Sequence, residues 1–304
     1  MEQPRITEED YFKPGHLACP GCGAALALKF TLKVLGEKTI MVIPASCASI
    51  IVGPYPLSAV KIPILHTAFA TAGAAASGVR AALDLKGDTE TTVVSWAGDG
   101  GTFDIGFQSL SGAVERNEDC IFVCYDNEAY MNTGVQRSSA TPPAARTATT
   151  QAVGHAPGNV FGQGKNVPLI AMAHEIPYVA TASVADVRDL ERKVTKAMSL
   201  SGSRYIHILV PCPLGWGAAP QDTIRLARLA TESGLFAVFE AEYGEVTGRR
   251  KIRRKVPVEE YLKPQKRFAH LFRPVLQTDV IAGLQAIADK NIRRFGLQSE
   301  GAGA

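Results

Sequence analysis

TTVVSWAGDGG (91–101) begins as a β-branched apolar run and ends in a glycine turn. FDIGFQSLSGAVERN (103–117) follows with apolar residues at helical spacing, and CIFVCYDN (120–127) returns to a short apolar run. The three segments read as strand, amphipathic helix and strand. The alternation extends both ways. Upstream, AALALKFTLKVLG predicts a helix from Gly23 to about Val34 with Gly36 at its C-terminal end. TIMVIP (39–44) is a buried strand, and residues 67–83 are a helix rich in Ala and Gly that can pack closely on a sheet. Downstream come helices over 167–175, 186–200 and 222–233, and strands YVATAS (178–183) and RYIHILVP (204–211). This pattern predicts an α/β fold: a mainly parallel sheet with helices on both faces.

Residues 1–18 read as an irregular N-terminal arm and 129–150 as a long polar loop, a length that is often functional. From 236 onward the character changes. FAVFEAEYGEVTGRRKIRRKV (236–256) predicts a hairpin whose charged turn holds Arg249-Arg250-Lys251 and Arg253-Arg254-Lys255, and a mixed tail follows. The expected division is a ligand-binding domain over 1–235 and a C-terminal extension with a basic hairpin over 236–304.

The 304 residues are 46% hydrophobic and 20% charged, which excludes a chain disordered throughout. A net charge of +3 gives no reason to expect a nucleic-acid partner. The polar start MEQPRITEED is unlike a secretory signal, and apolar runs are too short for a membrane span, so the expected location is the cytoplasm. Disulfides are rare there, and six cysteines invite a metal or redox reading.

Four predicted strands end in unusual sequence: ASCAS after 39–44, GDGG after 91–97, DNEAYMN after 120–125 and PCPLGW after 204–210. In open α/β sheets ligands bind beyond the carboxyl ends of strands, so these segments predict one composite site. Gly98, Gly100 and Gly101 let a backbone approach a phosphate at a helix start. A carboxylate in that turn, Asp99, would repel a diphosphate unless a cation lay between them. Mg²⁺ takes oxygen ligands, and Asn127 at the end of the next strand offers another. GDG, some 26 residues and then Asn resembles the thiamine-diphosphate/Mg²⁺ motif. That likeness implies that Asp99, Asn127 and the main-chain carbonyl of Ala129 bind the metal.

Cys19-Pro-Gly-Cys22 is a spacing shared by redox, zinc and iron–sulfur sites. Cys47 and Cys212 each follow a buried strand. Cys120 and Cys124 lie on one face of a strand and read as small core residues. The remaining four thiols suit either a [4Fe–4S] cluster or a Cys₄ zinc site.

CPGCG, AGDGG, CYDNEAYMNTGVQRSS, PYVATAS and HILVPCPLGW together resemble the β subunit of 2-oxoacid:ferredoxin oxidoreductases of the pyruvate synthase type, over about residues 15–240. The resemblance implies a thiamine-diphosphate-binding fold whose N-terminal arm helps carry a cluster. It makes Cys19, Cys22, Cys47 and Cys212 the [4Fe–4S] ligands. It puts Ser46 to Ile50 against the cofactor, Asn132 in a catalytic position near the reactive carbon, and Thr133 beside it. It implies oxidative decarboxylation of a 2-oxo acid, pyruvate foremost and otherwise oxalate, branched-chain or aryl 2-oxo acids. Electrons would pass singly to the cluster and on to ferredoxin, with CoA as a further substrate. The Glu that activates the cofactor ring belongs to a pyrimidine-binding domain this chain lacks room for. A partner α subunit is therefore expected, with γ and ferredoxin-like δ subunits or domains. Two features depart from the pattern: Phe69-Ala70-Thr71 replaces an acidic-amide pair after Phe, and PASCAS replaces a glycine-cysteine turn. The rival expectations are a non-oxidative thiamine-diphosphate enzyme with a structural zinc, and a binding subunit with an empty site.

Overall fold

A computed structural model describes residues 9–298; residues 1–8 of the expected arm lie outside this range. The first strands and helices are α1 (Gly23–Leu35), β1 (Thr39–Pro44), α2 (Cys47–Val52), β2 (Ile64–Thr67), α3 (Ala72–Leu85), β3 (Thr92–Gly98), α4 (Phe107–Glu115) and β4 (Ile121–Asp126). The middle of the chain gives α5 (Val167–Ala173), β5 (Tyr178–Ser183), α6 (Val187–Met198), β6 (Arg204–Leu209), α7 (Pro213–Trp216) and α8 (Thr223–Ser233). The C-terminal part gives β7 (Phe239–Glu242), β8 (Glu245–Arg249), α9 (Val258–Leu262) and α10 (Thr278–Phe295). One eight-stranded sheet has the order β2-β1-β3-β4-β6-β5-β7-β8. Its first six strands are parallel; β7 and β8 pair antiparallel.

The sheet is apolar on both faces because its strands alternate side chains between two cores. Val94 and Trp96 of β3 join Ile121, Val123 and Tyr125 of β4 on the face covered by α1 and α6. Val93, Phe122 and Cys124 point the other way, with Cys120, into a core shared with α3, α4 and the end of α10. Cys120 and Cys124 are fully buried there. Among the described residues no helix is long and apolar enough to cross a membrane.

The structure departs from the sequence reading in four places. The predicted helix over 67–83 starts only at Ala72, because ILHT (64–67) pairs with β1 as an edge strand. The helix expected at 103 is a π-helical turn over Gly100–Asp104, with regular α4 beginning at Phe107. The hairpin turns at Tyr243-Gly244, both at positive φ, as a two-residue turn demands. The basic run therefore begins at the end of β8 and is no turn. Arg250 pairs with Asp186 (2.7 Å) and Lys255 with Asp289 (2.8 Å), while Ile252 N–H donates to Leu297 O (2.8 Å). Finally, the tail contains α10, eighteen residues long.

Candidate active site

The chain leaves β1 toward β2 on one side and β3 toward β4 on the other, so the loops after β1 and β3 diverge. Open α/β sheets bind ligands at such a switch point. A cavity of about 130 Å³ opens there. The loop after β1 supplies Ser46 and Cys47, the turn after β3 supplies Gly98, Asp99, Gly100 and Gly101, and the loop after β4 supplies Asn127, Ala129, Asn132 and Thr133. All of these were predicted; Ile50 does not line the cavity and is half exposed on α2. Gly100 leaves the room: a Cβ there would lie 2.5 Å from the Tyr130 ring. Tyr130 packs edge-on against Phe69 to form one wall (5.7 Å between ring centres).

Asp99 is buried at the floor. Burial, reinforced by the nearby Asp126 charge, pushes its carboxyl well above the usual range, and a hydrogen bond from Ser138 Oγ works against that. Ionised Asp99 thus calls for a cation. One terminal atom of the Asn127 amide stands 3.0 Å from Asp99 Oδ1 and 2.9 Å from Ala129 O. As nitrogen, that atom donates to both; as the amide oxygen, it brings three oxygens together. Neighbouring ligands of an octahedral Mg²⁺ with bonds of about 2.0–2.1 Å stand about 2.9 Å apart, so the spacing suits that ion.

The loop after β4 is held from elements distant in sequence. Trp216 Nε1–H donates to Asn127 O (2.8 Å). The Arg267 guanidinium lies 3.9 Å from the Trp216 ring centre and pairs with Glu128. Burial raises the Glu128 carboxyl to about 7, against the pull of Arg267. Sequence reading missed Trp216, Ser138, Tyr125 and Arg267, because only tertiary folding brings them here.

Cys47 starts α2, and its turn is fixed by Ala48 N–H donating to Tyr125 Oη (3.1 Å). The 19–22 loop docks on the chain after β6: Gly23 N–H donates to Pro211 O (3.2 Å), and Thr223 Oγ1 donates to Gly21 O (2.5 Å). A Cβ on Gly21, which has φ +73°, would lie 2.3 Å from Pro220 O. This docking brings Cys19 and Cys22 toward Cys212. Every pair among Cys19, Cys22, Cys47 and Cys212 interacts electrostatically, whereas Cys120 and Cys124 stand apart. Burial first, then the neighbouring thiols, pushes Cys47 up to about 12; burial likewise pushes Cys212 to about 11. Among the described residues, no trio of His, Cys, Asp or Glu is gathered closely enough to hold a single metal ion.

Residues 45–208 match the family model for the thiamine pyrophosphate enzyme C-terminal TPP-binding domain. Pyruvate synthase subunit PorB of Methanothermobacter marburgensis is 50% identical over 88% of this chain and 92% of its own length. The chain belongs to the β-subunit family of the 2-oxoacid:ferredoxin oxidoreductases. Ketoisovalerate oxidoreductase subunit VorB of Pyrococcus furiosus is nearly as similar to this β subunit, at 47% identity over 90% of each chain. A solved 2-oxoglutarate:ferredoxin oxidoreductase from Magnetococcus marinus shares the fold, with a TM-score of 0.57 and 22% identity over 74% of this chain and 82% of that one. The β subunit thus has the expected thiamine-diphosphate-binding fold.

Proposed function

We propose that this β subunit holds the diphosphate end of thiamine diphosphate through Mg²⁺ on Asp99, Asn127 and Ala129, and one [4Fe–4S] cluster on Cys19, Cys22, Cys47 and Cys212. In complex with a pyrimidine-binding α subunit and with γ and ferredoxin-like δ subunits or domains, it carries out oxidative decarboxylation of a 2-oxo acid. Electrons go on to ferredoxin. The observation that carries this reading is the double position of Cys47: it lines the switch-point cavity and belongs to the set of four thiols. An electron acceptor on those thiols would border the cofactor directly.

Bound thiamine diphosphate would supply a carbanion for the 2-keto carbon and a sink for the electrons left when the 2-oxo acid loses CO₂, and a cluster on the four thiols would supply a one-electron acceptor. The chain's own residues position and enclose. The glycine turn gives a diphosphate close approach to the start of the helical segment. Phe69 and Tyr130 keep water from one wall. Asn132, exposed at the rim, offers an amide to the substrate, and Thr133 steadies that rim through Gln136 and the Tyr130 carbonyl.

Pyruvate is the proposed substrate, with CoA as acyl acceptor. A branched-chain 2-oxo acid is the second reading, because the relatives named for pyruvate and for ketoisovalerate differ by only a few per cent in identity. The complex, purified without oxygen, should be brown and contain iron, Mg²⁺ and thiamine diphosphate. It should reduce a viologen dye with pyruvate more readily than with 2-oxoisovalerate, an aryl 2-oxo acid or oxalate. A colourless β subunit carrying zinc and no iron, decarboxylating without dye reduction, would establish the non-oxidative rival.

A further inference from the structure

A second, larger cavity of about 570 Å³ lies where α6, α8 and the stretch following β8 meet. Its nearest parallel strand, β5, is three strands from β3. At about 4.8 Å per strand that is on the order of 15 Å from the switch point. The two cavities share no lining residue.

Among the described residues, its charges do not cancel. Asp186 neutralises Arg250 (2.7 Å), and Asp189 is shared by Arg192 (2.7 Å) and Lys193 (2.5 Å), with Glu240 adding to Arg192 (2.6 Å). Four further cations face the same space. Among the described residues, Arg249 and Lys251 reach only main-chain carbonyls, Phe295 O (3.4 Å) and Gly296 O (2.8 Å). Arg228 and Arg253 have no side-chain partner among the described residues. Among the described residues, Glu232 is the one remaining carboxylate on the lining. The basic wall is fixed in place: Arg250 N–H donates to Val238 O (2.9 Å) and Ile252 N–H to Leu297 O (2.8 Å). These cations converge from α8, the end of β8 and the following segment on a concave space of a size usual for small-molecule sites. An acidic protein would be met by an outward-facing patch; a concavity with guanidinium forks suits phosphates. Phe236, Val238 and Ile252 add an apolar side.

We propose that this cavity binds a nucleoside polyphosphate, its phosphates on Arg228, Arg249, Lys251 and Arg253 and its apolar part toward Phe236. The same chemistry is carried by a free nucleotide and by the adenosine end of CoA. The test uses the purified complex saturated with Mg²⁺ and thiamine diphosphate. Binding of ADP and of inorganic tripolyphosphate is measured by calorimetry for the wild type, for Arg228→Glu with Arg253→Glu, and for Lys13→Glu with Lys86→Glu as a surface control. The wild type should bind both probes at one site per β subunit. The cavity variant should bind them at least tenfold more weakly and the control within twofold of wild type. Thiamine diphosphate and iron contents serve as a separate readout of the proposed function. If the KM for CoA rises in the cavity variant with kcat unchanged, the ligand is CoA; if ADP binding alone is lost, it is a free nucleotide. Absence of binding to the wild type, as when a partner's acidic segment fills the cavity, or equal binding to the cavity variant, overturns the proposal.

Discussion

Replacing Trp216 with Phe tests whether the two proposed cofactor sites are mechanically joined. Trp216 closes α7, the short helix that follows Cys212, and its indole N–H donates to the main-chain oxygen of Asn127 (2.8 Å). Phe keeps an aromatic face for the Arg267 guanidinium but removes the donor. The Asn127 carbonyl, in a buried residue, then loses this partner, a cost of about 1–3 kcal/mol. The smaller ring leaves a void in a side chain's place that is fully buried, and a loss of that kind adds about 1 kcal/mol. Denaturant unfolding should therefore show a loss of about 2–4 kcal/mol. Because the broken bond holds a residue expected to bind the metal, part of the loss should appear in binding. A shift of 1.4 kcal/mol weakens affinity tenfold. Equilibrium dialysis of thiamine diphosphate against graded Mg²⁺ measures it, with iron content as a second readout. If stability falls while affinity stays within twofold of wild type, Trp216 is core packing alone and the link between the sites is refuted.

Other outcomes follow from the same geometry. Asp99→Ala should lose most of its thiamine diphosphate while keeping its iron, as cofactor and metal analysis of the purified complex will show. Alanine at Cys19, Cys22, Cys47 or Cys212 should lower iron content, whereas alanine at Cys120 or Cys124 should leave it intact; iron loss from the latter pair would refute the division of the cysteines. Gly100→Ala places a Cβ about where the Tyr130 ring stands, 2.5 Å away, and should weaken cofactor binding far more than it alters the melting temperature. The isolated β chain, given Mg²⁺, thiamine diphosphate, CoA and pyruvate, should not sustain viologen reduction. Turnover on the order of 1 per second or faster by this chain alone would show that no partner completes the site.

What the sequence reveals and what it hides follow from the range of the interactions. β3 and β4 are legible because both faces are buried and the runs are continuously apolar. Their carboxyl ends are legible because a parallel sheet places them side by side whatever the intervening helix does. Asp99 and Asn127 therefore meet as their spacing suggests. β2 is hidden because ILHT is a four-residue edge strand, partly exposed along its length, with almost no signal of its own. The π turn is hidden because its helical pattern continues smoothly into α4. The C-terminal helix is a different case: Ile281, Leu284, Ala288, Ile292 and Phe295 recur at helical spacing, so its period was present in the sequence.

The residues that brace the loop after β4 are hidden for a stronger reason. Glu128 is 139 positions from Arg267, and Asn127 is 89 from Trp216. No local pattern encodes such pairs. An Arg in a basic C-terminal segment reads as surface, yet Arg267 is buried between Glu128, Tyr261 and Trp216. A buried guanidinium is costly unless it is paired and hydrogen-bonded, and here both conditions are met. The C-terminal extension thus reaches beneath the loop after β4, and truncating it before Arg267 would leave the Glu128 carboxyl without its cation. The loop that carries Asn127 and Ala129 is therefore shaped by the last third of the chain as much as by the motif itself.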